Sequence, residues 1–519
     1  MESPEQREVL AFLRRRSAWL GSPPSVDVIE THGALIFMAG DEVLKVKRAV
    51  RLPYLDFTTL AARRRFLERE IEINAPYAPG LYRQVVPITR ETDGQLAVGG
   101  TGEAVEWALR MRRFGQDQLL SHVINNPGLS KELAVALADA IVGYHQSAPC
   151  PSAPTEPMPD VYRSLAAALS NCNEPSVVAA VGNFKAAIAD ALSSSAEIRR
   201  LRTQSGYIRR CHGDLHLGNM VLWQGMPVPF DAIEFDEALA TIDTLYDLAF
   251  LLMDLERHEA RAAANVILNR YLWKTGDPLD LSGLRALPLF MGVRAGIRAM
   301  VALDRARLGA GSERDATGNV ISTLELGTKL ATPQPAQLIA VGGLSGTGKT
   351  TLAAALAPCL GSAPGAIHLR TDLERKWLAQ VDEFTRLPES AYTLDATSSV
   401  YSRVMARARL ALAAGHSVVV DGVFARPEER RAIAELARTM DVLFSGLWLE
   451  ASPTVMAGRV GGRVADASDA TPAVVERQLG LQTGTIEWAR IETNAGPDRV
   501  LASALERIWS PYTALVPSM

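Results

Sequence analysis

The sequence predicts a multidomain chain of mixed class: an α+β region, in which a small sheet-rich lobe gives way to a helical lobe, followed by an α/β region on a parallel sheet. Three observations carry this expectation. Two short apolar or alternating runs, ALIFM at 34–38 and VLKVK at 43–47, are parted by Ala39, Gly40, Asp41 and Glu42, which is the pattern of a β-hairpin. Ala- and Leu-rich patterns of helical period then dominate up to about residue 205 and return over residues 239–308. Beyond residue 337, strand-like runs (LIAVGG, AIHLR, HSVVVDG, VLFSGLWLE) alternate with helical patterns, as in a parallel sheet with crossover helices.

Taken in order, the N-terminal stretch MESPEQREVLAFLRRRSAWL carries Glu2, Glu5 and Glu8 among apolar positions and reads as an amphipathic helix, not a signal sequence. After the hairpin, residues 58–74 have apolar positions at helical spacing and are terminated by Pro76, Pro79 and Gly80. VEWALRMRRF at 105–114 begins with alternation and predicts a strand leading into a crossover. The second helical region is broken at Gly276, Asp277 and Pro278. GAGSERDATGN is turn-rich and ATPQPAQ has two prolines, so residues 309–336 are expected to be a linker. The predicted organisation is a small lobe over 1–108, a helical lobe over 109–308, the linker, and a parallel-sheet domain over 337–519.

Composition narrows the chemistry. A chain of 519 residues, at about 100 to 200 per domain, holds several packing units. Its 48% hydrophobic and 22% charged residues are those of a globular protein. Lys plus Arg number 54 against 58 Asp plus Glu, so the cation surplus that gripping a long nucleic acid requires is missing. The run Arg63, Arg64, Arg65 reads as the solvated face of a helix. The four cysteines are widely spaced without a CxxC pair, which fits a reducing compartment. No apolar run approaches the roughly 20 residues of a membrane span. A soluble, cytoplasmic protein with no membrane partner is the expectation.

Two constellations carry chemistry. CHGDLHLGNMVL sets Asp214 and Asn219 at the spacing D-x-x-x-x-N, and PVPFDAIEFD brings Asp231 to the end of an apolar run. Transfer of a γ-phosphoryl group to a hydroxyl needs a carboxylate that orients and accepts the hydroxyl proton, and oxygen ligands that hold Mg²⁺ on the phosphates. Asp214 suits the first task; Asn219 and Asp231 suit the second. HGDLHLGN followed by FDAIEFD resembles the catalytic loop and metal-binding segment of the aminoglycoside phosphotransferase and choline kinase superfamily, over roughly residues 30–305.

That resemblance implies a bilobal, protein-kinase-like fold with ATP between the lobes. It makes Asp214 the catalytic base, Asn219 and Asp231 magnesium ligands, His212 a brace for the loop, and Asp247 in LYDLAFLL a structural residue. Many members carry Asp-x-Asp in the metal segment, whereas here Asp231 is followed by Glu234 and Asp236. The family also uses a small-lobe lysine paired with a helix glutamate. Lys45 is chosen over Lys47, which shares its face, and Glu70 over Glu72. Residues 106–111 resemble the interlobe hinge that receives adenine. No G-x-G-x-x-G loop precedes the lysine, which argues against a protein kinase.

The second constellation, LIAVGGLSGTGKTTLAAAL, is an apolar strand, then Gly343-Leu-Ser-Gly346-Thr-Gly348-Lys349-Thr350, then a helix opening with Thr351: a Walker A motif in its proper context. The glycines let backbone N–H groups close on a β-phosphate at a helix N-terminus, Lys349 reaches the β- and γ-phosphates, and the Thr350 hydroxyl ligates Mg²⁺. Asp421, ending HSVVVDG, has the form of a Walker B carboxylate that holds magnesium through water. HLRTDLERK sets Asp372 just past a strand, on the side of the sheet where ligands bind. The pattern resembles P-loop kinases of the gluconate, shikimate and zeta-toxin-like type. By that likeness Asp372 orients the acceptor hydroxyl, and Arg459 and Arg463 are lid arginines.

The order of the two regions resembles a bacterial family of fused aminoglycoside-phosphotransferase-like and P-loop ATP-binding proteins. The expected function is an ATP- and Mg²⁺-dependent kinase of a small-molecule hydroxyl with a second ATP-binding kinase unit. Two alternatives stand beside it. One unit is a nucleotide-sensing regulator of the other, or the P-loop unit is a nucleotide or polynucleotide kinase. Asp254, Glu256 and Glu259 are acidic, on a helix read as facing solvent.

Overall fold

In the computed structural model, which describes residues 4–31, 33–52, 55–126, 128–171, 174–307, 313–462 and 466–513, the two alternating runs near the N-terminus pair as the antiparallel strands Ala34–Ala39 and Glu42–Lys47. They sit in a six-stranded sheet ordered Asp27–Glu30, Ala34–Ala39, Glu42–Lys47, Glu103–Arg112, Tyr82–Arg90, Leu96–Val98. One face buries Leu35, Phe37, Leu44 and Val46 against Val9, Leu10 and Leu13 of the Pro4–Leu13 helix. The other is covered by the Leu60–Asn74 helix, capped by the Thr59 hydroxyl, which accepts from the Ala62 N–H. Arg63 is not on a solvated face: it is buried and its Nε donates to Glu106 Oε1 at 2.9 Å.

The chain divides into two compact units, Met1–Pro157 with Arg202–Asp254, and Met158–Leu201 with Leu255–Met519. The second is built on a five-stranded parallel sheet in the order Ile367–Arg370, Val418–Asp421, Gln337–Gly343, Leu443–Glu450, Ala489–Glu492. Buried Ile339, Val341, Val419 and Leu449 of that sheet pack with Leu352 and Leu356 of the helix that follows the glycine-rich loop and with Ile508 near the C-terminus. This division differs from the expected boundary at residue 336, because residues 158–201 and 255–331 belong with the parallel sheet.

The segment expected as a linker holds a helix, Glu313–Ala331, which packs on Leu287–Arg307 and Pro175–Ser194. Its buried Val320, Thr323, Leu324, Leu330 and Ala331 fall at helical spacing. Small residues let these helices approach: a Cβ on Gly292 would lie 2.7 Å from Ile188 Cδ1 and 3.1 Å from Gly327 O. The turn-forming composition is confined to the two ends of the segment, and the apolar period between them decides the structure.

Within the same unit the Arg261–Thr275 helix covers the exposed edge of the Ile367–Arg370 strand. Asn265 Nδ2 donates to Ala366 O at 3.0 Å, and Asn269 Oδ1 accepts from His368 N at 2.7 Å. Buried Arg407 of the Leu394–Ala413 helix donates to Leu272 O at 3.1 Å and pairs with Glu374 at 3.2 Å. Removing it leaves Leu272 O with Gly276 N, at 3.2 Å, and takes one of two arginines, the other being Arg403, from a buried carboxylate. Arg407→Ala is expected to cost about 3 kcal/mol, read as a lowered urea midpoint for this unit.

Two stretches, Pro175–Ser194 and Pro278–Asp304, are long and apolar enough to cross a membrane by length and composition, against the expectation that none approaches that length. The second has 67% of its apolar window buried within the fold. Cys150, Cys211 and Cys359 are in no disulfide among the described residues; Cys172 lies outside them.

Candidate active sites

In the first unit Asp214 and Asn219 lie on the loop between the Ile208–Arg210 and Met220–Trp223 strands. Asn219 Nδ2 donates to Asp214 Oδ2 at 2.8 Å and to Asp214 O at 3.0 Å, so the two residues share one rigid turn. Buried Asp247 anchors that turn: its Oδ1 accepts from Gly213 N at 2.9 Å and its Oδ2 from His212 N at 3.1 Å. His212, also buried, bridges Phe230 O at 3.0 Å and Asp214 N at 3.3 Å. Asp254 does not face solvent: it is buried and accepts from Leu217 N at 3.1 Å on the same loop.

Asp231 has φ +61°, a left-handed conformation rare for a residue with a side chain. It is held there from both sides, its N–H donating to Tyr82 Oη at 2.9 Å and that of Ala232 to Asn74 Oδ1 at 2.9 Å. The conformation turns its carboxylate to Lys45, which bonds Asp231 Oδ1 and, at 2.8 Å, Glu70 Oε1. Lys47 bonds the other oxygen of Glu70 at 2.7 Å and also Glu234. Both lysines of the strand thus share Glu70, while Glu72 pairs at the surface with Arg69.

Burial opposes the charge on Lys45, but Asp231, Glu70 and Glu234 outweigh it and hold its pKa well above the ordinary lysine value. Burial likewise raises the Asp231 carboxyl, and Lys45 overcomes this, leaving it below the usual range. At Glu234 burial wins over Lys47 and the pKa is raised. Asp236 caps the short Glu237–Ala240 helix, accepting from Ala238 N at 2.8 Å. Of the two acidic residues after Asp231, Glu234 is thus engaged with Lys47 and Asp236 with a helix N-terminus. Residues 106–111, the expected hinge, lie inside the Glu103–Arg112 strand, where Leu109, Arg110 and Met111 pair with strands on both sides.

In the second unit the loop from Gly343 to Gly348 joins the central strand to the Lys349–Leu356 helix. Gly346 has φ +87°, and a Cβ there would stand 2.5 Å from Met456 O; at Gly343, φ +138°, it would stand 2.7 Å from Leu449 O. Only glycine fits either place, and the loop closes into a cradle of N–H groups. Lys349 Nζ arches back to Leu344 O at 3.0 Å. The Thr350 hydroxyl donates to Asp421 Oδ2 at 2.5 Å, so the two hard oxygen donors a magnesium ion would use already face each other. Thr351 is exposed one residue further along the helix.

Burial would raise the Asp421 carboxyl, but His368, whose Nε2 lies 3.8 Å from Oδ2, with the charges of Lys349 and Arg370, holds it below its usual value. Asp372 behaves oppositely: burial, then the Asp421 charge, raise its pKa. The two carboxyls are thus shifted in opposite directions. Arg459, expected as a lid arginine, is on the Pro453–Gly461 helix, where it donates to Thr493 O at 2.6 Å and to Thr493 Oγ1 at 3.2 Å, with its Nη1 3.5 Å from Gly346 O of the glycine-rich loop. Arg463 lies outside the described residues. Reasoning from sequence missed Lys47 and Glu234 as a buried pair, Tyr82 and Asn74 as supports of Asp231, His368 behind Asp421, and Gln478, whose Oε1 accepts from Ser345 N at 2.7 Å. Of these only the second lysine of VLKVK, on the face of the first, left a signal in the sequence.

A kinase-like phosphotransferase fold and a P-loop domain on a parallel sheet are thus present in one chain. Residues 81–286 match the model of the phosphotransferase enzyme family and residues 338–483 that of an AAA domain. The chain is 29% identical over 497 residues to uncharacterized proteins of Mycobacterium tuberculosis and Mycobacterium bovis, covering 94% of this chain and 96% of theirs. Among solved structures it is similar to a choline/ethanolamine kinase family protein from Mesorhizobium loti (15% identity, 63% of this chain and 99% of that one, TM-score 0.37). It is similar also to a gluconokinase from Sinorhizobium meliloti (19% identity, 35% of this chain and 95% of that one, TM-score 0.26). Both kinase-like domains support phosphotransferase activity.

Proposed function

We propose that the chain is an ATP- and Mg²⁺-dependent kinase of a small-molecule hydroxyl, acting through Asp214 in its first unit, with a second ATP-binding kinase site on the P-loop, and that it works in the cytoplasm. The observation that carries the reading is the meeting of Lys45, Glu70 and Asp231 in the unit that also holds the Asp214–Asn219 turn. Asp231 and Asn219 offer oxygen donors suited to magnesium, which when bound neutralises charge on the phosphate oxygens. Lys45, fixed by Glu70, turns from Asp231 to the phosphates. Asp214 takes up the proton of the acceptor hydroxyl. At the second site the glycine-rich cradle and Lys349 hold phosphates, Thr350 and Asp421 are the metal-side donors, and Asp372 orients an acceptor.

The ion pair between Lys45 and Asp231 gives a test with a sign. In a Lys349→Ala background, where only the first site reports, Asp231→Ala should weaken ATP binding about tenfold or more with magnesium, roughly 1.4 kcal/mol. Without magnesium it should leave ATP binding equal or tighter, because the change frees the Lys45 ammonium. Calorimetric titration reads both. Loss of affinity in both conditions would mean that Asp231 supports the fold and not the metal.

A further inference from the structure

Arg370 ends the Ile367–Arg370 strand, in register with Asp421 on the neighbouring strand and two residues before Asp372. It therefore stands at the C-terminal end of the parallel sheet, among the residues that would meet the nucleotide and the acceptor. A guanidinium has five N–H donors in a planar fork that matches two oxygens of a carboxylate or phosphate. Here the fork is little used. Its Nη2 reaches Asp466 Oδ1 at 3.4 Å, a long contact, and its Nε is buried without a hydrogen-bond partner. Asp466 meanwhile accepts from Ser468 N at 3.1 Å, so its carboxylate is divided.

A buried donor left unmade costs about 1–3 kcal/mol, and such a group calls for a reason, a catalytic role or a bound water or ion among them. The charge of Arg370 reaches both Asp372 and Asp421, lowering each, as a cation lying between the acceptor side and the metal side would. Lys349 acts on the same two carboxylates from the loop side.

We propose that Arg370 is a catalytic residue of the P-loop site that grips the terminal phosphoryl group of the nucleotide, with the Asp466 carboxylate standing in for that anion until nucleotide arrives. The inference rests on the reading of this unit as a nucleotide-binding kinase. It assigns a neutralising charge to an arginine on the sheet, across the site from Lys349 and in addition to Arg459, which Thr493 and Gly346 O hold beside the glycine-rich loop. The transferring phosphoryl carries charge on three equatorial oxygens, and the two free directions of the fork suit two of them.

The test uses the full chain with Lys45→Ala and Asp231→Ala to silence the first site, and titrates ATP and ADP in magnesium by calorimetry. Arg370→Ala should lower ATP affinity about tenfold or more while leaving ADP within about twofold, and Arg370→Lys should recover part of the difference. Asp466→Ala, which removes the competing carboxylate, should tighten ATP and not ADP. An equal loss for both nucleotides in Arg370→Ala, or no loss for either, overturns the proposal, as does weaker ATP binding in Asp466→Ala. If Lys349→Ala abolishes binding of both nucleotides while Arg370→Ala leaves the ratio unchanged, the inference fails and the nucleotide-site reading stands. No nucleotide binding at all in the silenced chain sinks both.

Discussion

Asp214→Asn should reduce phosphotransfer at the first site by roughly a thousandfold, within the 10²–10⁴ range of a positioned general base, and leave the KM for ATP within about twofold. The amide keeps the shape of the carboxylate. By rotating, it still offers an oxygen to Asn219 Nδ2, which now donates to Asp214 Oδ2 at 2.8 Å, so the turn survives. The proton acceptor alone is lost. The Asp214 side chain is 40% exposed and outside the Lys45–Glu70–Asp231 cluster, so nucleotide contacts are not expected to change. The measurement is steady-state ATP turnover, with an acceptor found by screening sugars, amino alcohols, aminoglycosides and nucleosides, in a chain that also carries Lys349→Ala. Unchanged kcat would remove Asp214 from the reaction.

Lys349→Ala should abolish measurable nucleotide binding at the P-loop. Truncating a charge that faces a desolvated anion costs about 2–5 kcal/mol, or roughly 30-fold to several-thousandfold in affinity. The N–H cradle framed by Gly343 and Gly346 persists, since its shape is set by Leu449 O and Met456 O and not by the lysine. Wild-type chain titrated with ATP should show two binding events. One should survive in Lys349→Ala and the other in the Lys45→Ala, Asp231→Ala chain. A single event removed by either set of changes would mean that the two constellations form one site.

What could be read from sequence was whatever is local. HGDLHLGN and GLSGTGKT each place their functional groups within one turn, so spacing alone brings Asn219 to Asp214 and Lys349 to the cradle. Asp231 and Lys45 are 186 residues apart, and only the likeness to known kinases grouped them. Features that depend on a distant partner were illegible. Arg63 looked like one of three surface arginines until Glu106, 43 residues away, gave it a buried partner. Gln6, 100 residues from Glu106, donates to its other oxygen, Oε2, at 2.7 Å, a second partner that spacing could not show. The helix Glu313–Ala331 was hidden because its punctuation is at its ends, while its apolar stripe is answered by glycines on helices the sequence had assigned to another domain.

The asparagine cover on the outermost strand of the parallel sheet bears on how such a chain could be taken apart or inherited. Asn265 and Asn269 occupy the positions where a neighbouring strand would hydrogen-bond, and they stand about seventy residues ahead of the glycine-rich loop. A fragment begun at residue 337 would carry a complete nucleotide cradle and a naked sheet edge, open to pairing with its own copies. Ancestral exchange of the two halves at the proline-bearing stretch would have produced the same orphan. Because that unit also takes residues 158–201, ahead of residues 202–254 of the other, no single recombination joint leaves it whole, and the halves of this chain are expected to travel through evolution as one heritable piece.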